Sequence, residues 1–271
     1  MRRFILFFIL SSFVSFGVSA QKADSLKFIT IRPTASVLNY DWFEKSIVGE
    51  IGLQLKIQAS PKTNITFGTG LFKSLSTSQK NAVEAASLSN VFDKQFNVGN
   101  ANLLPNYPQK RYNGGFFNVD VGVPFKLKDS TNWVLEPFLG IEGKFWNRTS
   151  EYGTEGNPLT VQEKYKFLSP TFGAKVNYTT KSKVKLTLRI SASYPVLSKI
   201  KLDEKNLNMP NAELDLKKQL SPSIEIGARI KKLTIKLRYE RINIGASDSL
   251  RGFSTPSSKA NVSGVSIGYD F

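Results

Sequence analysis

Apolar residues recur at every second position along much of this chain, and this two-residue period constrains its fold more than any other feature. In the block 183–194, Leu186 and Ile190 fall on one face of an extended chain, and Lys185 and Arg189 fall on the other. Successive side chains of a β-strand point to opposite sides, whereas a helix repeats every 3.6 residues. The pattern therefore predicts an all-β protein.

The alternating blocks are longer than the strands of soluble proteins, which usually have ~5–6 residues. They lie near 28–40, 46–58, 63–75, 115–127, 133–145, 165–178, 183–194, 220–231, 232–244 and 260–271. A tilted strand of about 12 residues spans roughly 28 Å, which matches the hydrophobic layer of a membrane. An even number of such strands is typical of bacterial outer-membrane proteins. We therefore predict a ten-stranded antiparallel up-and-down transmembrane β-barrel in the bacterial outer membrane.

Short and long connections alternate between these blocks. The short ones are 59–62, 128–132, 179–182 and the Lys231–Lys232 turn, and the long ones are 76–113, 147–164, 195–218 and 245–259; the link near 41–45 is short although it falls among the long ones. Outer-membrane barrels have short periplasmic turns and long extracellular loops. We therefore expect the long connections outside the cell and both termini in the periplasm. Within 76–113, a capping-box pattern at 81–84 and helically spaced apolar residues predict a short helix.

The N-terminus has the three parts of a secretory signal peptide. Arg2 and Arg3 are basic, residues 4–18 are almost all apolar, and small residues precede Gln21. The apolar run is shorter than the ~20 residues that a spanning helix needs, which argues against a membrane anchor. We predict that residues 1–20 are cleaved and that residues 21–271 form a single barrel domain.

Aromatic residues concentrate near both ends of the predicted strands, as in the girdles that mark the two membrane surfaces. We place one girdle at the long-loop ends (Tyr40, Trp42, Phe117, Phe145, Trp146, Tyr194 and Tyr239) and one at the short-turn ends (Phe125, Trp133, Tyr178, Tyr269 and Phe271). A soluble barrel with its apolar face inward is the rival fold, because the period alone does not orient the faces. Strand length and the two girdles argue against it.

The chain ends with apolar residues that alternate back from a terminal aromatic: Val265, Ile267, Tyr269 and Phe271. This resembles the C-terminal β-signal that the outer-membrane assembly machinery recognises in barrel proteins. An unpaired last strand can add to the open edge of that machinery before the barrel closes. We therefore expect the assembly machinery to be a partner of this chain.

Two further stretches carry a family resemblance. Residues 116–126 (FFNVDVGVPFK), followed by 135–143 (LEPFLGIEG), resemble the central hairpin of PorT-like outer-membrane β-barrels of the Bacteroidota, and the ending 268–271 (GYDF) is similar too. The resemblance implies the barrel fold and the outer-membrane location. That group is functionally diverse and includes a secretion-system component, and the resemblance brings no active-site residues.

Charged residues on the polar face of the strands are expected to point into the barrel. They are Arg32, Glu50, Lys56, Asp120, Glu136, Glu142, Lys144, Lys175, Lys185, Arg189, Glu225, Arg229, Lys236, Arg238 and Glu240. A two-residue turn at Lys231–Lys232 would place Glu225 opposite Arg238. Ten strands enclose a narrower lumen than the 16–18 of open porins, so we favour a polar core of ion pairs. The alternative is a small anion-preferring diffusion pore.

The sequence contains no histidine and no cysteine. Ser–His–Asp catalysis, the histidine-dependent enzymes among outer-membrane barrels, and zinc sites built from His and Cys are therefore excluded. We predict a protein that is not an enzyme and has no catalytic residue, metal or cofactor.

The net charge is +16, and +14 once Arg2 and Arg3 are removed. For an exported barrel this favours membrane lipids and lipopolysaccharide phosphates as partners over nucleic acid. We predict a structural or interaction component, such as an accessory subunit of a larger complex with other outer-membrane proteins. The alternatives are the pore and a surface-binding or adhesive barrel acting through its loops, notably 76–113 and 195–218.

Overall fold

The computed structural model describes residues 29–42, 45–60, 62–78, 109–127, 132–152, 159–204, 212–248 and 255–271. The strands in these ranges are β1 (Ile29–Asp41), β2 (Lys45–Ser60), β3 (Thr63–Ser78), β4 (Gln109–Gly122), β5 (Phe125–Lys126), β6 (Trp133–Tyr152), β7 (Leu159–Thr179), β8 (Lys185–Ser193), β9 (Leu197–Glu204), β10 (Ala212–Asp215), β11 (Ser221–Ile230), β12 (Leu233–Ile244) and β13 (Ser258–Tyr269). The predicted signal peptide and the predicted helix of the first long loop lie outside these ranges.

Ten of the strands close into one antiparallel ring. The order is β1-β2-β3-β4-β6-β7-β8-β11-β12-β13, and β13 pairs with β1 from Thr34↔Gly268 to Asp41↔Asn261. The predicted ten-stranded barrel is thereby confirmed. The two-residue turn at Lys231–Lys232 is also confirmed: Ile230 pairs with Leu233, and Lys231 adopts a φ of 55°.

The three remaining strands continue barrel strands past interruptions. β5 continues β4 beyond Pro124, and β9 continues β8 beyond Pro195, because proline has no N–H to give to the ladder. Along β7 the register changes from Thr171↔Ser193 to Leu168↔Leu197, so the 194–196 segment forms a bulge. β10 pairs with β9 and leads into β11.

The strands run further than the apolar alternation predicts. β6 and β7 pair as far as Tyr152↔Leu159, and β9 and β10 occupy much of the predicted connection 195–218. The connections predicted at 147–164 and 195–218 are therefore shorter than expected. The outward residues of a strand must be apolar only where they face lipid. The hydrogen-bond ladder between two strands can continue beyond the lipid into water, so the alternation ends before the strands do.

The outer face of the barrel is apolar along its middle. Leu139 is 70% exposed, and Ile51, Ile190 and Leu237 are also exposed. A large exposed apolar surface of this kind on a closed barrel fits an outer membrane and not water. The chain is therefore an outer-membrane β-barrel. No helix within the described ranges is long and apolar enough to cross a membrane.

Candidate functional site

All fifteen charged residues predicted to point inward line the lumen, where they border two cavities stacked along the barrel axis. The upper cavity, on the long-loop side, measures about 160 Å³, and the lower cavity, on the short-turn side, about 110 Å³. Arg189, Glu225 and Lys236 border both of them. The alternation along the strands places these groups inside because their neighbours face lipid.

Glu240 on β12 is the centre of the upper ion-pair network. It accepts hydrogen bonds from Lys144 Nζ across the lumen and from Arg238 Nη2, the latter at 2.5 Å. Lys144 also donates to Glu142 at 3.2 Å, and Arg238 Nη1 lies 3.9 Å from Glu50 Oε2. Both carboxylate oxygens of the buried Glu240 are therefore engaged by cations, and this pairing offsets the cost of burial.

A second set of ion pairs separates the two cavities. Arg189 Nη1 donates to Asp120 Oδ2 at 2.6 Å, and Lys175 Nζ donates to Glu136 Oε1 at 3.2 Å. The two cations also stack on the Phe138 ring, at 4.2 Å for Arg189 and 4.8 Å for Lys175. The charges and the ring together fill the section of the lumen between the cavities.

Asp270, the penultimate residue, is a member of the lower network that sequence reasoning missed. It accepts hydrogen bonds from Arg32 and, at 3.1 Å, from Arg229 Nη1. Asp270 is separated from Ser266 and Gly268 by even numbers of residues, so the alternation places it on the same inward face. This spacing could have identified it as a lumen residue. Its place inside the predicted β-signal drew attention to the outward neighbours instead.

The predicted pairing of Glu225 with Arg238 is confirmed as a strand register and is wrong as an ion pair. The two residues are Cα partners between β11 and β12. Glu225 instead accepts from Lys236 at 3.0 Å, while Arg238 turns to Glu240 and Glu50. Long side chains reach diagonal neighbours on adjacent strands as readily as direct partners.

An apolar cluster closes the lumen above the upper cavity. We call it the aromatic plug; its rings are those of Tyr40, Trp42, Phe72, Tyr112, Trp146, Tyr165 and Phe167. Trp42 meets Tyr165 at 5.2 Å between ring centroids and Trp146 at 6.3 Å, across the lumen from β1 to β7 and β6. Aliphatic side chains such as Ile200, Leu214 and Ile242 pack on it. The lumen of the described barrel is thus shut at its long-loop end by packed side chains.

The aromatic plug corrects the predicted girdle. Tyr40, Trp42 and Trp146 were placed on the outer surface, but Trp146 is only 6% exposed and all three point inward. Their parity agrees with this, because Trp146 follows Lys144 by two residues. Aromatic character near a strand end is therefore a weaker signal than the period of two. Phe117, Phe145, Tyr194 and Tyr239 do lie on the exposed outer face.

The four residues of the predicted β-signal share the outer face of β13 and its end. Val265, Ile267, Tyr269 and Phe271 are all exposed, and the Tyr269 and Phe271 rings are in edge contact at 5.0 Å. The Phe271 N–H donates to the Ile31 carbonyl at 3.0 Å, so the ladder to β1 extends to the last residue. They form an apolar stripe at the seam of the barrel.

The interior chemistry is that of ion pairs. Among the described residues, no group of three or more His, Cys, Asp or Glu side chains is arranged to hold a metal ion. The carboxylates of Glu240, Asp120 and Asp270 are each engaged by cations. Charge-assisted hydrogen bonds of this kind offset the cost of burying these carboxylates.

Comparison with solved structures places the fold among outer-membrane barrels. The outer membrane protease OmpT from Escherichia coli is similar with a TM-score of 0.55 and 11% sequence identity, over 93% of this chain and 99% of that chain. The translocator domain of autotransporter NalP from Neisseria meningitidis gives a TM-score of 0.46 at 11% identity, covering 96% and 93% of the two chains. A major outer membrane protein from Thermus thermophilus gives 0.45 at 9% identity, covering 90% and 99%. No protein-family model and no curated protein matches the sequence.

Proposed function

We propose that this outer-membrane barrel is a non-enzymatic structural or interaction component that acts through its long-loop end, as an accessory subunit of a larger outer-membrane complex. The observation that carries the proposal is the closed lumen. The ion-pair networks and the aromatic plug occupy successive levels of the described barrel, so transport is not what the interior is built for.

The long-loop end has the construction of a rigid platform. Its inside is packed with apolar side chains, and its outside is polar, with Lys166, Lys199, Glu213 and Arg241 on the wall. Lys199 donates to Glu213 at 2.5 Å, and this hydrogen bond lowers the pKa of the Glu213 carboxyl. A wall that is apolar inside and charged outside is suited to water and to partner proteins above the membrane.

Lysines on the same wall favour anionic lipids of the outer leaflet as a second contact. Lys164, Lys166, Lys199 and Lys201 alternate along β7 and β9 on the outward side, beyond the lipid-facing belt. Phosphate groups of lipopolysaccharide are the anions that this level of the outer leaflet presents to them. We therefore include lipopolysaccharide among the proposed partners.

Two observations support the assignment to a non-catalytic accessory role. One is the resemblance of residues 116–126 and 135–143 to PorT-like barrels, a group that includes a secretion-system component. The other is the absence of histidine from the sequence, which removes the usual proton relay of hydrolases although one structural neighbour is a protease.

Site-specific photo-crosslinking in cells tests the interaction role. A crosslinkable residue at position 201 or 241, on the long-loop wall, should yield discrete adducts of higher mass. The same residue at position 139, in the middle of the lipid belt, should yield none. Equal yields at the two levels, or none at any position, would contradict a platform at the long-loop end.

A small anion-preferring pore is the second candidate, and the excess of cations around the lower cavity favours it. Planar-bilayer recording of the purified chain separates the two functions. The closed lumen predicts no discrete conductance steps. Steps that disappear on neutralising Arg189 and Arg229 would establish the pore.

A further inference from the structure

The two cavities of the lumen differ in charge. Four cationic and five acidic side chains line the upper cavity, so charges nearly balance there. Seven cationic side chains and only two acidic ones, Glu136 and Glu225, line the lower cavity. The positive excess of the barrel interior is therefore concentrated on the short-turn side.

Ion pairs account for most of the lower cations. Lys175 is paired with Glu136, Lys236 with Glu225 at 3.0 Å, Arg189 with Asp120, and both Arg32 and Arg229 with Asp270. Within the described part of the chain, Lys56 and Lys185 have no carboxylate within 4.0 Å. Two ammonium groups thus remain in the cavity wall without a carboxylate at ion-pair distance, and the Glu136 carboxylate attracts both of them only from further away.

The topology explains why these two groups meet. Lys56 lies close to the end of β2 and Lys185 begins β8, so both point inward at the short-turn end of the barrel. They are near enough to repel each other, and Arg229 and Arg32 add to the repulsion. β2 and β8 lie on opposite sides of the ten-strand ring, so the two ammonium groups face each other across the lumen. Like charges confined in this way are unfavourable unless an anion lies between them.

We propose that the lower cavity is a binding site for an oxyanion of the phosphate class, held by the ammonium groups of Lys56 and Lys185. A volume of about 110 Å³ is large enough for one tetrahedral oxyanion together with water. The hydroxyl group of Thr66 also lines it and supplies a neutral donor.

The kind of anion follows from the donors. Several cations converge on one small space, which favours a divalent ion with several acceptor oxygens over a halide. Arg229 adds a planar guanidinium, the group best matched to phosphate, at the cavity border. Its side chain is 42% exposed, so the cavity is reached from the short-turn side.

Calorimetric titration of the detergent-solubilised full chain tests the proposal. Inorganic phosphate should bind with a stoichiometry of one at constant ionic strength, and sodium chloride should give no comparable heat. The double variant Lys56→Gln/Lys185→Gln should weaken binding by roughly tenfold or more, since each lost charge removes a charge-assisted hydrogen bond. Its melting temperature without phosphate should be unchanged or higher, because the repulsion is gone.

A matched control is available at the same end of the barrel. Lys62→Gln/Lys181→Gln removes the same charge from two exposed short-turn positions outside the cavity and should leave binding intact. Equal weakening by the two double variants would overturn the proposal, because it would show a general effect of net charge. If the cavity double variant does not fold, Lys56→Gln and Lys185→Gln are measured singly.

The source of the phosphate group is decided by a second titrant, dihexanoyl phosphatidic acid. Binding of this lipid without binding of inorganic phosphate identifies a lipid headgroup, and the reverse identifies a free oxyanion. Silence with both titrants overturns the site. The outcome is independent of the proposed interaction role, which concerns the opposite end of the barrel.

Discussion

Arg32 on the first strand donates hydrogen bonds from Nε and Nη2 to Asp270, next to the end of the last strand. β1 and β13 are the two strands between which the barrel closes. An ion pair from the lumen wall therefore spans the seam beside the β-ladder. Arg229, on β11, shares the same carboxylate, so a single anion connects three strands.

The seam ion pair predicts that Asp270→Asn destabilises the barrel. Two guanidinium groups would lose their charged acceptor, at a cost of about 2 kcal/mol in the free energy of unfolding. Urea titration of the folded chain in detergent micelles, followed by tryptophan fluorescence, measures the change. Asp248→Asn, at an exposed position, should leave the midpoint unchanged. Equal urea midpoints for the two variants would show that the seam ion pair does not stabilise the barrel.

Glu240→Gln should be the most damaging of the acidic substitutions. It leaves Lys144 and Arg238 as neighbouring buried cations without their shared carboxylate, and breaking a buried pair in this way costs about 3–5 kcal/mol. Loss of heat-resistant compact migration on gels at lower temperature gives the readout. Glu213→Gln breaks an ion pair on the exposed wall and should have no measurable effect, because such pairs are screened by water. A tolerated Glu240→Gln would contradict the network.

Glycine packing beneath the aromatic plug gives a third prediction. A Cβ at Gly114 would lie 2.3 Å from the Phe145 carbonyl oxygen and 2.7 Å from the Phe72 ring, so Gly114→Ala should cost about 1–3 kcal/mol through overpacking. At Gly227 the nearest atom is the flexible Lys236 Cγ at 3.3 Å, and Gly227→Ala should be neutral or slightly stabilising. Chemical denaturation of the two variants side by side decides the point. The prediction fails if Gly114→Ala is as stable as Gly227→Ala.

Tryptophan fluorescence tests the inward position of the aromatic plug. Of the three tryptophans in the chain, Trp42 and Trp146 are buried in the lumen, while Trp133 is 41% exposed towards lipid. Brominated lipid should therefore quench the Trp42→Phe/Trp146→Phe variant and leave Trp133→Phe almost unaffected. Strong quenching of the Trp133→Phe variant would show that Trp42 and Trp146 contact lipid on the outer face, and would contradict their position in the lumen.

The orientation of the wall is tested at Leu139, which lies in the middle of the lipid-facing part of β6. A lysine there should destabilise the barrel by about 2–4 kcal/mol, because a charge at the bilayer midplane is poorly solvated. Asn39→Lys places the same charge on the outer face beyond the lipid belt, opposite Ile47 and Ser263, and should cost much less. Refolding titrations in lipid vesicles compare the two, and equal costs would contradict the membrane assignment.

The alternation of residues was sufficient to predict the ten strands, their order and the direction of the charged side chains. Leu139, Lys185 and Arg189 face as their parity requires. Backbone geometry and the contrast between lipid and a polar lumen enforce a period of two, so the period can be recognised in a single sequence. The turn at Lys231–Lys232 even fixed the register of Glu225 and Arg238.

Parity does not survive a bulge, and this limits what the sequence alone could predict. The extra residue near Pro195 reverses the faces, so Ser191 and Ser193 point inward on β8 whereas Ser198 and Ile200 do so on β9. The sequence also could not predict which acidic residue pairs with which basic residue. Which carboxylate Lys144 or Arg238 meets depends on side chains from strands far apart in sequence, across the lumen.

The reversal of polarity along β6 has a consequence for mutational tolerance. From Glu136 to Lys144 its inward side chains are charged or small apart from Phe138, which two cations cover, whereas at Trp146 the lumen becomes a hydrocarbon-like core. One continuous strand therefore has two opposite arrangements. At the level of the lipid its apolar side chains face outward, and above the lipid its apolar side chains face inward. Evolution should favour polar residues at inward positions up to Lys144 and apolar residues at inward positions from Trp146 onward. A substitution matrix suited to one half of the strand will therefore give wrong scores for the other half.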